Sequence, residues 1–154
     1  MTKEKIDKEK LILETAEELL KQLQVEAKVR VEEKDEAFSV QIETEDTGIL
    51  IGYHGETLSS FQLILALMIY KKIGQWTKII VNVGDWRQRR EEALQQMALS
   101  SAEKVVTTGE AVVLPDLSSF ERRAIHMALA DHPKVTTVSE GEGNERKLII
   151  KPKS

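Results

Sequence analysis

The 154-residue chain contains no cysteine. That removes disulfides, thiolate nucleophiles and cysteine-held metals, and it suits a reducing compartment. Aromatic residues make up only 5% of the sequence, too few to line a cofactor or sugar site with rings. Long apolar runs are missing as well. The longest, Leu63 to Tyr70, falls far short of the roughly 20 residues that a membrane span requires. The first residues, Met1 to Lys10, are mostly charged, unlike a signal peptide. Internal repeats and low-complexity tracts are also absent. These features lead to the expectation of a cytoplasmic protein without membrane insertion. A hydrophobic content of 41% is enough for one or two small cores.

The net charge of −4 hides an uneven distribution. Residues 1–46 carry eight Lys/Arg against fourteen Asp/Glu. Residues 47–84 carry Lys71, Lys72 and Lys78 against Glu56 alone, and residues 85–154 are balanced. Phosphate responds to the local field within a Debye length, about 10 Å at moderate salt. An acidic whole chain therefore does not exclude nucleic acid; it argues against tight, indiscriminate binding.

Periodicity organises the chain into two halves. Ile12, Ala16, Leu19, Leu20 and Leu23 mark an amphipathic helix. Val25, Ala27, Val29 and Val31, then Phe38, Val40 and Ile42, alternate as two strands joined by the charged segment Glu32 to Glu36. A short helical segment leads to Gly52, and a helix follows from about Glu56 to Lys72. Its run Phe61 to Tyr70 is apolar nearly all round, which predicts burial on several sides. Lys78 to Val83 reads as a third strand. Beyond Gly84-Asp85 a long helix runs from an Asp85 N-cap to a Gly109 stop. A short strand, Ala111 to Leu114, comes next. Ser118 and Glu121 have capping-box spacing and launch a further helix that stops before His132-Pro133. Val135 to Ser139 and Arg146 to Lys151 form a hairpin. The fold class is α+β, with domains expected at 1–84 and 85–154.

Gly52-Tyr53-His54-Gly55 lies between two helical segments. Neither glycine carries a Cβ, so a foreign backbone can approach closely, and the next helix offers free N–H groups and its positive dipole end. Alone, the tetrapeptide reads as a helix–helix turn. The order of elements around it favours a clamp on single-stranded nucleic acid, with Ile51 on the groove floor and Tyr53 able to stack a base or ribose. Arg122 and His126 are four apart and share one helix face, with Arg123 beside them. Arginine supplies a fork of donors for phosphate oxygens, and histidine donates or stacks. As a bare pair they equally describe a solvated helix surface.

Placed in this order, the first half resembles a type II KH domain (αββααβ) with Gly52-Tyr53-His54-Gly55 as its GXXG loop. The second resembles the Arg-x-x-x-His nucleic-acid-binding domain through Arg122 and His126. Further matching stretches are Leu50-Ile51-Gly52, Glu56-Thr57-Leu58, Glu121-Arg122-Arg123, His126-Met127-Ala128-Leu129 and Ser139-Glu140-Gly141-Glu142-Gly143. Together they resemble the bacterial Jag family, also called KhpB or SpoIIIJ-associated protein. The resemblance implies a cytoplasmic RNA-binding protein, an RNA chaperone or post-transcriptional regulator linked to cell shape, division and cell-wall synthesis. It also implies a small single-KH partner, KhpA. Family members usually begin with a further small N-terminal domain, whereas this sequence starts almost directly at the KH helix. KH loops usually carry Lys or Arg where this one has Tyr53-His54, so its Coulombic attraction for phosphate is weaker.

The remaining features read as structure. Arg87, Arg89 and Arg90 cluster at a helix start, with Glu91, Glu92 or the acidic first half as expected partners. Trp76 and Trp86 flank the third strand and are expected to pack. Arg146, Lys147, Lys151 and Lys153 give a basic final strand, either a solvated edge or an extension of the second site. Gly141-Glu142-Gly143-Asn144 joins two strands and bears carboxylates, so it is no phosphate cradle. No nucleophile–base arrangement, metal-ligand spacing or cofactor motif is present, so no catalytic, metal or cofactor site is expected. The sequence therefore supports a non-enzymatic binder of single-stranded RNA, with single-stranded DNA as an alternative ligand. Its rival is a protein–protein adaptor using the KH fold as scaffold.

Overall fold

A computed structural model describes residues 3–154, with side chains in the first helix described from Asp7 onward. Two compact units divide after Arg87. The fold class is α+β, as the periodicities indicate.

In the first unit, helix α1 (Lys3–Gln22) presents Ile12, Ala16 and Leu20 to the core. Strands β1 (Lys28–Lys34) and β2 (Ala37–Glu43) pair antiparallel. Their connection is tighter than the charged segment Glu32 to Glu36 suggests. Lys34 pairs with Ala37, leaving only Asp35 and Glu36 as the turn, both at positive φ (52° and 63°). Two consecutive left-handed residues match the twist of the flanking strands and allow the ladder to close directly. At the other end β1 starts later than the alternation implies. The Val25 N–H donates to Leu20 O at 3.0 Å, which commits it to closing α1 rather than to the ladder.

Helix α2 (Thr47–Ile51), a 3-10 turn at Tyr53–Gly55 and helix α3 (Glu56–Ile73) carry the chain across to β3 (Ile79–Val83). This crossover makes β3 parallel to β2, with Phe38 opposite Ile79 and Ile42 opposite Val83. The strand order is β1-β2-β3. Phe38, Val40, Ile42, Ile79, Val81 and Val83 form one buried face, joined in the core by Leu58, Phe61, Leu65 and Ile69 of α3.

The expectation that α3 is buried on several sides is wrong. Leu63 (55% exposed), Ile64, Leu67 and Tyr70 face outward. In a two-layer unit α3 packs on the sheet and against α1 and α2, and the side turned away from all of them stays at the surface. Trp76, expected to pack, is 59% exposed and touches Tyr70 with ring centroids 6.0 Å apart.

The second unit contains most of α4 (Trp86–Thr108), which buries Leu94, Ala98, Ala102 and Val105. Its stop is a left-handed Gly109 (φ 74°) whose N–H donates to Val105 O at 2.8 Å. Strand β4 (Val112–Leu114), helix α5 (Ser119–Ala128), β5 (Val135–Glu140) and β6 (Lys147–Pro152) follow. The capping box is present: Ser118 Oγ accepts from Glu121 N at 3.1 Å, and Glu121 Oε2 accepts from Ser118 N at 3.2 Å. The strand order β4-β6-β5 removes the solvated-edge alternative for the last strand. β6 is the middle strand. Leu148 and Ile150 are fully buried, and its basic residues alternate away from them.

Candidate nucleic-acid interface

The Gly52–Gly55 turn is built on left-handed backbone. Gly52 has φ 70° and ψ −170°, His54 has φ 52°, and Gly55 has φ 78°. The glycines are required by their own neighbours. A Cβ at Gly52 would lie 2.1 Å from Thr57 Oγ1, and one at Gly55 would lie 2.4 Å from Trp86 Cη2. Trp86 packs against the core from the start of α4, so its indole backs the turn from within the first unit. This locked backbone carries Tyr53, 65% exposed, at its tip. The Tyr53 ring meets the His54 ring edge-on with centroids 4.1 Å apart. Ile51 is half-buried against the core, and Ile49 on the same short helix is 67% exposed. The structure thus groups Ile51, Gly52, Tyr53, His54 and Gly55 as a projection with an aromatic tip and apolar flank.

The second candidate group does not stay together. Arg122 is half-buried, and its Nη1 donates to Leu117 O, so its guanidinium secures the entry to α5. Arg123 and His126 are exposed and line a cleft of about 450 Å³ between α5 and the start of β5. Met127, Thr136, Thr137 and Lys153 also line it, and no carboxylate does. His126 Nδ1 is hydrogen-bonded to Thr137 Oγ1. Lys153 Nζ donates to His132 O at 3.1 Å, and its backbone N–H donates to Lys134 O at 2.9 Å. Phe120 is 74% exposed on the same helix. Thr137 escapes the helix motif because strand register, not spacing along α5, brings it to His126. Lys153, for which the basic final stretch leaves open an extension of this site, lines the same cleft.

Arg87 and Arg90 at the start of α4 take partners other than Glu91 and Glu92. Arg87 Nε donates to Val81 O at 2.8 Å and its Nη2 to Gln62 Oε1 at 3.0 Å. Gln62 Oε1 also accepts from Val81 N at 2.8 Å. Side chains thus satisfy both backbone groups of the central residue on the outer edge of β3, which blunts that edge against strand addition. Burial pushes the Arg87 pKa down, and a guanidinium has enough margin to stay charged at neutral pH. Arg90 pairs with the buried Glu121, Nε to Oε1 at 2.8 Å, rather than with Glu91 or Glu92. Neighbours on the same helix turn point in different directions, whereas α5 presents its N-terminal carboxylate to α4.

Among the described residues no cluster of three or more His, Asp or Glu could hold a metal ion, and no helix is long and apolar enough to cross a membrane.

Residues 9–83 match the family model for the KhpA/KhpB KH domain, and residues 92–152 match that for the Arg-x-x-x-His domain. Curated relatives agree. The RNA-binding protein KhpB of Clostridium symbiosum is 35% identical over 82% of this chain and 57% of its own length. That of Lactiplantibacillus plantarum is 33% identical over 86% of this chain and 41% of its own length. The chain therefore spans about half the length of these two relatives. The KhpB of Bacillus subtilis is 32% identical over 97% of this chain and 73% of its own length. A KH unit carrying a glycine-locked turn is followed by a unit with the arginine–histidine helix, in one order and over nearly the whole sequence, so the chain belongs to the KhpB family of RNA-binding proteins.

Proposed function

We propose that the chain binds single-stranded RNA without catalysis, using two modules that each supply mostly sequence-independent contacts. The observation that carries this reading is the Gly52–Gly55 turn. Its backbone is fixed by Thr57 and Trp86, and it projects Tyr53 into solvent. A rigid tip with small residues on both sides suits close approach of about four backbone nucleotides. Stacking on Tyr53 adds roughly 1–3 kcal/mol where a base reaches it. The α5–β5 cleft supplies the second contact through Arg123 and His126, and Arg122 secures the entry to the helix that carries them. Two weak modules on one chain gain affinity through effective concentration. Their limited base readout suits an RNA chaperone or post-transcriptional regulator in the cytoplasm, with the family's link to cell shape, division and cell-wall synthesis.

The adaptor reading has its own support in the outward apolar face of α3, Leu63, Ile64, Leu67 and Tyr70, with Trp76 beside it. A small single-KH protein, KhpA-like, is the partner this reading takes, and RNA binding and such a partner are compatible. Salt separates the two as sources of affinity. Binding of a labelled oligouridylate should weaken steeply with salt, as counterion release requires. Affinity for RNA that does not change with salt would refute phosphate-led binding.

A further inference from the structure

We propose that Thr137 is a positioning residue that holds His126 in its Nε2–H tautomer, with Nε2 aimed at a phosphate in the α5–β5 cleft. The inference rests on the reading that this cleft contacts RNA. His126 lies in the last turn of α5 and Thr137 lies on β5, opposite Ile150 of β6. The buried Ile150 is on the middle strand, so the position of Thr137 is fixed by the sheet rather than by a loop. Its hydroxyl meets His126 Nδ1.

A neutral imidazole has one donor and one acceptor nitrogen, and the partner of one nitrogen sets the role of the other. A threonine hydroxyl can donate to Nδ1 while its own oxygen keeps acceptor capacity. With Nδ1 used as acceptor, the proton resides on Nε2, at the opposite side of the ring. Among the described residues Nε2 has no hydrogen-bond partner. The rest of the lining fits an anion: Arg123 and Lys153 are cations, Met127 gives an apolar wall, and no acidic group is present. Arg123 makes no hydrogen bond or ion pair among the described residues, so its guanidinium is available to a phosphate oxygen. Lys153 is held at the cleft by its bonds to His132 O and Lys134 O.

The test compares the full chain with Thr137→Val, which keeps strand-compatible shape without the hydroxyl, and Thr137→Ser, which restores the hydroxyl. NMR of isotope-labelled histidine ring nitrogens reads the tautomer in the free protein, and fluorescence anisotropy with a labelled oligouridylate reads affinity. The expected result is an Nε2–H tautomer in the wild type with Nδ1 shifted as an accepting nitrogen. Thr137→Val should lose that Nδ1 shift and bind RNA about three- to tenfold more weakly. Thr137→Ser should recover both. An Nδ1–H wild type would overturn the proposal, as would a Thr137→Val protein with unmoved ring nitrogens or unchanged affinity. A wild type that holds the Nε2–H form yet binds no RNA would contradict the functional reading and leave the Thr137–His126 contact supported.

Discussion

Replacing Gly55 with alanine should destabilise the first unit before it affects any ligand. Two costs are separable. An L-residue at φ 78° carries about 1–2 kcal/mol of left-handed strain. The new Cβ also sits 2.4 Å from Trp86 Cη2 and 3.0 Å from Cζ2, so the indole must shift within a packed core. Overpacking of this kind costs about 1–3 kcal/mol. Together they remove about 2–5 kcal/mol, a large share of the roughly 5–15 kcal/mol that holds a small domain folded. Urea unfolding followed by tryptophan fluorescence measures this directly, because both tryptophans, Trp76 and Trp86, lie in the first unit. Trp86→Ala is itself destabilising, but it empties the space that the Cβ would need. In that background Gly55→Ala should cost only the backbone term, about 1–2 kcal/mol. A Gly55→Ala cost below about 0.5 kcal/mol, or an equal cost with and without Trp86, would refute the reasoning that Trp86 and positive φ select glycine. The same arithmetic shows why loop glycine variants are poor probes of RNA binding: they perturb the fold.

Glu121→Ala should cost about 2–4 kcal/mol in the second unit, since it removes the capping box and leaves Arg90 without its buried partner; thermal unfolding monitored by circular dichroism checks it. Arg123→Ala and Arg122→Ala should separate by assay. Arg123→Ala weakens RNA binding about three- to tenfold at unchanged stability, as loss of a charged phosphate contact implies. Arg122→Ala lowers stability by about 1–2 kcal/mol through loss of its bond to Leu117 O, with any loss of binding following from that.

Much of the architecture is legible in the sequence because it rests on periodicity and local chemistry. Alternation at Phe38, Val40 and Ile42, the Ser118/Glu121 spacing and the Gly109 stop each act within a few residues, and each structure forms as its pattern implies. The errors concern what lies across space. Hydrophobic content does not say how many layers cover a helix, so the outer face of α3 reads as core although it is surface. Strand spacing does not give strand order, so a solvated edge stays open for β6 in the sequence although it is the middle of its sheet. Arg90 finds Glu121, thirty-one positions away, over the glutamates beside it. The candidate sites divide in the same way. Glycine spacing marks the turn, while the reasons for its glycines, Thr57 and Trp86, emerge only when the chain is folded. The helix motif marks His126, while the cleft it lines is completed from β5 and the residues after β6.

The central claim is that the Tyr53-His54 tip contacts RNA, and it can be tested without touching the glycines. Tyr53→Asp combined with His54→Asp keeps Gly52 and Gly55 in place, and aspartate tolerates the left-handed conformation at position 54. The change removes the aromatic surface, worth roughly 1–3 kcal/mol where it stacks, and sets two carboxylates against phosphate at about 1 kcal/mol each in water. Fluorescence anisotropy with a labelled oligouridylate should therefore show affinity falling at least about tenfold, with the unfolding curve unchanged. A folded double variant that binds RNA as tightly as the wild type would contradict the account.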